Sequence, residues 1–306
     1  MDENSTLRFE ERPKLRSPYL ICGFEGSLNG GDVSAAGVRY LLNHFKATKF
    51  AEIASSHFHV YQIPGADGLR PVFKMDQGLI VDAEFPGDEF YYARNPGSEH
   101  DLVLLLGNEP NLNWEEYADN VITLAAELNV SRLYAFGAIL DRTPYFREPG
   151  ITCTCTSAEL KREIAKYRVR FSNRYGGATF NQLLVYYCQK KGLEGVNFTA
   201  RAPYYPEFNL AIEYSPKSIK AVLARLSDLM RLELSFEELD ASIREVQDKL
   251  DSIRKHNPQF NTYIEEIDKN YEEMPYRENT LNISANDAVR LAEEFLSRKK
   301  DEPEEK

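Results

Sequence analysis

Apolar residues along this chain recur in two rhythms. Residues 19–24 (Tyr-Leu-Ile-Cys-Gly-Phe) form a short apolar run that stops at a polar, glycine-bearing turn. Beyond it Val33, Ala36, Gly37, Tyr40 and Leu41 recur at helix spacing. The first pattern reads as a buried strand and the second as an amphipathic helix. Residues 19–42 are therefore a strand feeding a helix through a loop whose backbone must come close to something. Asn29 or Asp32 is placed to cap that helix, and its first-turn N–H groups favour anions. The loop fits neither GxGxxG nor the P-loop pattern, so it licenses no nucleotide site of either kind.

The same alternation continues. Residues 49–63 read as strand and extension, and 64–68 as a turn. Short alternating pieces at 70–73, 79–83 and 89–93 predict an excursion of antiparallel hairpins. Residues 101–107 are continuously apolar, as suits a strand buried on both faces. A helix follows over 114–128, then a strand at 132–137 and a polar loop at 141–147. A further helix (179–190) and strand (195–202) complete the pattern. Repeated alternation argues for a mixed, mainly parallel sheet with helices on both faces. From Ser215 onward the chain reads as helices only, at 215–231, 236–255, 259–271 and 284–297. A capping box, Ser235 with Glu238, opens the second of these. Within it Leu239, Ile243, Val246, Leu250 and Ile253 run at 4-3-4-3 spacing, a coiled-coil-like seam that needs a partner surface. The expected organisation is a flexible arm (1–17), an α/β core (18–234), a helical extension packed on the core or on a partner subunit (235–297) and a disordered tail (298–306).

Composition narrows the function classes. With 306 residues, 42% hydrophobic and 28% charged, the chain can bury a sizeable core. A formal net charge of −11 argues against nucleic acid and against an anionic membrane surface. No run approaches a membrane span, and the polar N-terminus is no secretory signal. Cys22, Cys153, Cys155 and Cys188 read as buried thiols in a reducing cytoplasm. Cys153 and Cys155 share a strand face, as do His57 and His59, but neither pair has the further ligands a metal site requires. No metal and no cofactor is expected.

Ligands of open α/β sheets bind beyond the carboxyl ends of the strands. The residues there are Glu25, Asn29, Gly30, Gly31 and Asp32, then Glu109, then Asp141, Arg142, Tyr145 and Arg147, then Arg201 and Tyr204. The candidate crevice comprises Glu25, Asn29, Gly30, Gly31, Glu109, Arg142, Arg147 and Tyr204. Arginine would recognise a carboxylate or phosphate, and a desolvated Glu109 could act as a base. The same groups could equally pair with one another and brace the loops. No serine or cysteine has a histidine at informative spacing, and no catalytic residue is assigned.

Four blocks together resemble the family named after the second proteasome assembly chaperone: GFEGSLNGGDVSAAGVRYLL, LVLLLGNEPNLNW, FGAILDRTPYFREPGITCTCT and YGGATFNQLLVYYCQKKGLEGVNFTARAPYYP. The likeness covers residues 18–239. It implies a three-layer α/β/α fold shaped like phosphorylases and peptidyl hydrolases, homo-oligomerisation, and a chaperone or adaptor role with a protein client. Two departures stand out. The family's Asp-Ala-Gly is Asn29-Gly30-Gly31 here, and its Pro-His-Thr-Arg-Pro is replaced by residues 144–149, without histidine. The hydrophobic–Tyr–x ending by which archaeal relatives engage proteasomes is also absent, which weakens that link.

Two functions therefore remain in view. The first is a non-enzymatic, self-associating assembly or adaptor protein, with Ile243, Leu250 and Tyr205 as interface candidates. The second is a small-molecule enzyme or ligand-binding protein with an anion site at the strand ends.

Overall fold

Four of the apolar runs become the parallel centre of one sheet. The computed structural model describes residues 6–62, 70–173 and 175–272. Its strands, numbered in chain order, are β1 (Leu7–Phe9), β2 (Tyr19–Glu25), β3 (Thr48–Ala54), β4 (Val72–Asp76), β5 (Leu79–Glu84), β6 (Gly87–Ala93), β7 (Leu102–Asn108), β8 (Arg132–Asp141), β9 (Ile151–Cys155), β10 (Arg170–Phe171) and β11 (Glu194–Pro203). The helices are α1 (Val33–Phe45), α2 (Trp114–Glu127), α3 (Ala158–Ala165), α4 (Phe180–Lys191), α5 (Pro206–Ala211), α6 (Pro216–Met230), α7 (Glu237–His256) and α8 (Pro258–Lys269).

The large sheet runs β1-β3-β6-β7-β2-β8-β11-β9-β10. β7, β2, β8 and β11 are mutually parallel; β6 joins β7, and β9 joins β11, antiparallel. The fold is thus α/β with a mixed sheet and a parallel centre. Alternate residues of β2 feed opposite faces. Leu20, Cys22 and Phe24 enter a core with Phe50, Phe90, Tyr117 and Phe180, on the side of α2 and α4. On the other face Gly23 lies against Ser34 and Val38 of α1, close enough that a side chain there would collide. The parallel centre sets the carboxyl ends of β2, β7, β8 and β11 at one edge, where the candidate residues were expected.

Several expectations need correction. Of the expected loose arm, residues 7–9 form β1, which pairs antiparallel with β3. Arg16 is tied to the buried Asp101. Backbone pairing and a buried ion pair outweigh a polar composition. His57 sits in a 3-10 turn rather than a strand. His59 is buried against Asp88, Nε2 to Oδ2 at 3.1 Å, so the two histidines do not share a strand face. The capping box expected at α7 is not formed: Phe236 is its N-cap residue and no side chain bonds there. A capping box does open α4, where Thr179 and Gln182 satisfy each other's backbone N–H groups. The expected 284–297 helix and 298–306 tail lie outside the described residues.

Candidate functional site

The loop after β2 is held from within. The Asn29 side-chain oxygen accepts from Ser34 N (2.9 Å) and Ala35 N (3.0 Å), taking up first-turn donors of α1. Its amide group donates to Glu25 and to Asp32 Oδ1 (2.9 Å), and Arg39 pairs with both carboxylates. The close approach inferred from the glycines is to the chain itself. A Cβ on Gly30 would stand 2.9 Å from the Ala138 carbonyl oxygen. Gly31 has φ +61°, and a Cβ there would reach within 2.7 Å of the Ser215 Cβ. Glu109 accepts from both the backbone N and the hydroxyl of Ser27, each at 2.6 Å. Glu25, Asn29, Gly30, Gly31 and Glu109 are therefore brought together, but as a brace for this loop. The α1 N-terminus that seemed open to an anion already carries an uncharged cap. Replacing Asn29 by alanine is expected to cost about 1–2 kcal/mol and to lower Tm by a few degrees. Asn29→Asp is expected to recover little of it, because an oxygen in place of the amide nitrogen would face the Glu25 and Asp32 carboxylates. Calorimetry on the two variants decides it; equal melting for alanine and parent would remove the cap from this account.

Arg147 is not at that loop. Its guanidinium meets Asp268 of α8, Nε to Oδ1 at 2.7 Å and Nη2 to Oδ2 at 3.1 Å, and holds that carboxyl below its usual range. Tyr145 donates to Asp251 of α7; burial and that acceptor push its phenol up to about 12. These contacts fold α7 and α8 back over the 141–149 loop. The seam of α7 is consumed in the process. Leu250 is fully buried and Tyr205 is 3% exposed, in one cluster with Tyr145, Phe208, Val246, Phe260 and Ile264. Ile243 is half-buried, lining a crevice beside Val246 and Pro144. Leu250 and Tyr205 of the expected interface are thus covered by this chain's own side chains, while Ile243 stays half-buried. Spacing along α7 showed that a partner surface was needed, not which chain supplied it.

Arg142 and Tyr204 do meet. With Tyr205 they line an open cleft of about 690 Å³ walled by Leu140, Phe260 and Tyr263. Leu140 is 49% exposed and Tyr204 56%. Arg201 pairs with Asp141 at 2.6 Å beneath it, and Tyr204 N donates to the Asp141 carbonyl at 3.0 Å, fixing the loop to β8. The Arg142 guanidinium makes no ion pair among the described residues. Phe260 and Tyr263 were missed in the sequence; their three-residue spacing on α8 is the signal that would have found them. Cys153 is buried and Cys155 half-buried on β9. A hydrogen bond with Cys153 lowers Cys155 to about 7, against the opposing effect of burial. No cluster of three or more His, Cys, Asp or Glu side chains suited to a metal occurs among the described residues.

A mixed sheet with a parallel centre, flanked by helices, and a strand-end loop that braces itself define an α/β protein with an internally bonded first loop. The sequence profile of the PAC2 family matches residues 23–254, and the chain belongs to that family. It is similar to a PAC2 family protein of Streptomyces avermitilis at 26% identity, covering 77% of this chain and 95% of that one, with a TM-score of 0.66. The Mycobacterium tuberculosis proteasome-assembly chaperone homologue Rv2125 is 24% identical, covering 89% and 99%, with a TM-score of 0.63. The archaeal proteasome activator PbaB of Pyrococcus furiosus is 22% identical, covering 81% and 98%, with a TM-score of 0.62. No helix among the described residues is long and apolar enough to cross a membrane.

Proposed function

We propose that this PAC2 family chain is a non-enzymatic, self-associating assembly or adaptor protein of the cytoplasm, and that a client protein segment docks in the Arg142–Tyr204 cleft. The observation that carries this is the cleft itself: open, largely apolar, and flanked by half-exposed Leu140 and Tyr204, with an Arg142 that makes no ion pair among the described residues. Aromatic and arginine side chains are the usual anchors of protein recognition. The brace around Glu109 supports a non-catalytic reading, since its carboxylate is already bonded to Ser27. The names of the two proteasome-linked relatives point the same way. Residues 18–234 serve as the core in this reading. The segment 235–297 is taken as its extension, and of its described helices α8 walls the cleft through Gln259, Phe260 and Tyr263.

The second reading, a small anionic ligand, rests on the same Arg142. Native mass spectrometry of protein captured gently from its own extract separates the two. The parent is expected to carry a stoichiometric protein partner, lost in the double variant Arg142→Glu, Tyr204→Ala. A small bound mass lost in that variant would transfer the site to the ligand reading. A partner that persists would remove the cleft from the interaction.

A further inference from the structure

A second apolar surface lies away from this cleft. β4 and β5 form a two-stranded hairpin outside the large sheet. Gln77 (φ 47°) and Gly78 (φ 86°) both occupy the left-handed region, as the tight two-residue turn between twisted strands requires. Every residue of both strands is exposed. Two strands alone are marginal in water, and hydrophobic side chains on them normally have a cover.

The cross-strand register sorts the side chains. Phe73 pairs with Ala83 and Met75 with Ile80, which sets these four on one side. Phe85 joins them, its ring edge-on to Phe73 with centroids 6.2 Å apart, and Val81 sits at the irregularity between the pairs. The opposite side carries Lys74 facing Asp82, with Asp76 and Glu84, and with Val72 and Leu79 at its margins. The hairpin is therefore amphipathic. On its apolar side exposure runs from 45% at Phe73 to 66% at Met75. Phe73, Met75, Ile80, Val81 and Phe85 leave roughly 600 Å² of side chain in water, most of what one partner brings to a standard interface.

We infer that the apolar side of this hairpin is covered by the same side of a second copy of the chain, across a two-fold axis. This rests on the self-association in the preceding reading and names its surface. The face holds no charge, so none is left unpaired when it meets itself, and an isologous contact satisfies both copies at once. The acidic side stays in water on the outside of the two stacked hairpins. A membrane fits less well: one lysine against Asp76, Asp82 and Glu84, on a chain of net charge −11, is repelled by anionic headgroups.

The test is the double variant Met75→Lys, Ile80→Glu, followed by analytical ultracentrifugation across a concentration series. The two new charges face each other across the strands, so the hairpin can persist while its face turns polar. The dimer dissociation constant is expected to rise at least about a hundredfold, because each substitution counts twice across the axis, with the far-ultraviolet circular dichroism of the folded chain unchanged. A conserved mass in the variant overturns the hairpin contact and leaves self-association through another surface. A monomeric parent at all concentrations overturns both. Since the variant hairpin could unravel, a cysteine at Met75 supplies an independent readout. Mild oxidation should give a covalent dimer from Met75→Cys and not from Asp82→Cys on the opposite side. Equal yields from both overturn the proposal, as does flotation of the parent with anionic vesicles that the charged variant abolishes.

Discussion

Replacing Arg225 by methionine should lower the unfolding free energy by about 3–5 kcal/mol and the melting temperature by about 10 °C or more. Arg225 is fully buried in α6, an uncommon place for a guanidinium. It donates to the carbonyl oxygens of Tyr167 (3.0 Å), Arg168 (3.2 Å) and Ala221 (2.7 Å), and lies 3.7 Å from Glu148. Methionine fills the space but takes the guanidinium donors from the Tyr167 and Arg168 carbonyls, while the Ala221 carbonyl keeps its helical bond from the residue 225 N–H. Each buried orphan costs about 1–3 kcal/mol. Lysine keeps the charge without the planar fork, so it should recover less than half of the loss. Glu148→Gln should cost far less, because that carboxylate is partly in water. The effect also reaches the cleft. Glu148 lies in the 141–149 loop, and its carbonyl accepts from Tyr271. A calorimetric scan of the four proteins checks the order. Arg225→Met melting within about 2 °C of the parent would show that the Tyr167 and Arg168 carbonyls find other donors.

Arg225 also marks where sequence reasoning stops. Period and run length identify an element because its burial is decided by its own neighbours, as in β2, α1, β7 and α4. The glycine loop between β2 and α1 was legible for the same reason, though not which of Asn29 and Asp32 bonds the first turn: Asp32 holds the N-cap position without a side-chain bond, and Asn29 makes the bonds. What approached Gly30 and Gly31 was not legible, since Ala138 and Ser215 come from distant elements. Burial of a polar residue depends on partners far along the chain. Arg225 with Tyr167, His59 with Asp88, and Asp101 with Arg16 and Arg94 leave no local pattern. The α7 seam was read correctly as a face needing cover, yet Tyr145, Phe208 and Phe260 supply that cover within one chain. Of the candidate site, the strand-end positions were found by rule. Their division into a brace around Glu109 and a cleft around Arg142 required three dimensions.

Asp101 should set the acid limit of the fold. Its side chain is completely buried at the start of β7. Burial alone would raise its carboxyl. Hydrogen bonds from the Arg16 guanidinium and backbone, from Arg94 and from Asn95 N outweigh burial and hold it far below the usual carboxylate range. The nearest contacts are Arg16 Nη2 to Oδ1 and Arg94 Nη1 to Oδ2, both 2.6 Å. With the folded value depressed, the unfolded chain binds the proton more readily. The stabilisation is therefore complete above the unfolded value of about 3.9 and is lost as pH falls toward the folded one. Asp101→Asn removes the buried acceptor of two half-exposed arginines and of two backbone N–H groups, at a cost of about 1–3 kcal/mol at neutral pH. It should also free the segment before β2, because Arg16 N donates to this carboxylate and Asp101 N to the Arg16 carbonyl. Urea unfolding at pH 7, 5 and 3 tests both points. The two proteins should differ by the full amount at pH 7 and 5, and the gap should narrow by pH 3 as the unfolded parent takes up the proton that the folded one still refuses. Hydrogen exchange should quicken across residues 6–16 in the variant even at pH 7. Parallel stability curves at all three values would mean that the carboxyl titrates alike in both states, and the arginine pair would then be a surface ornament of a chain held by its apolar strands.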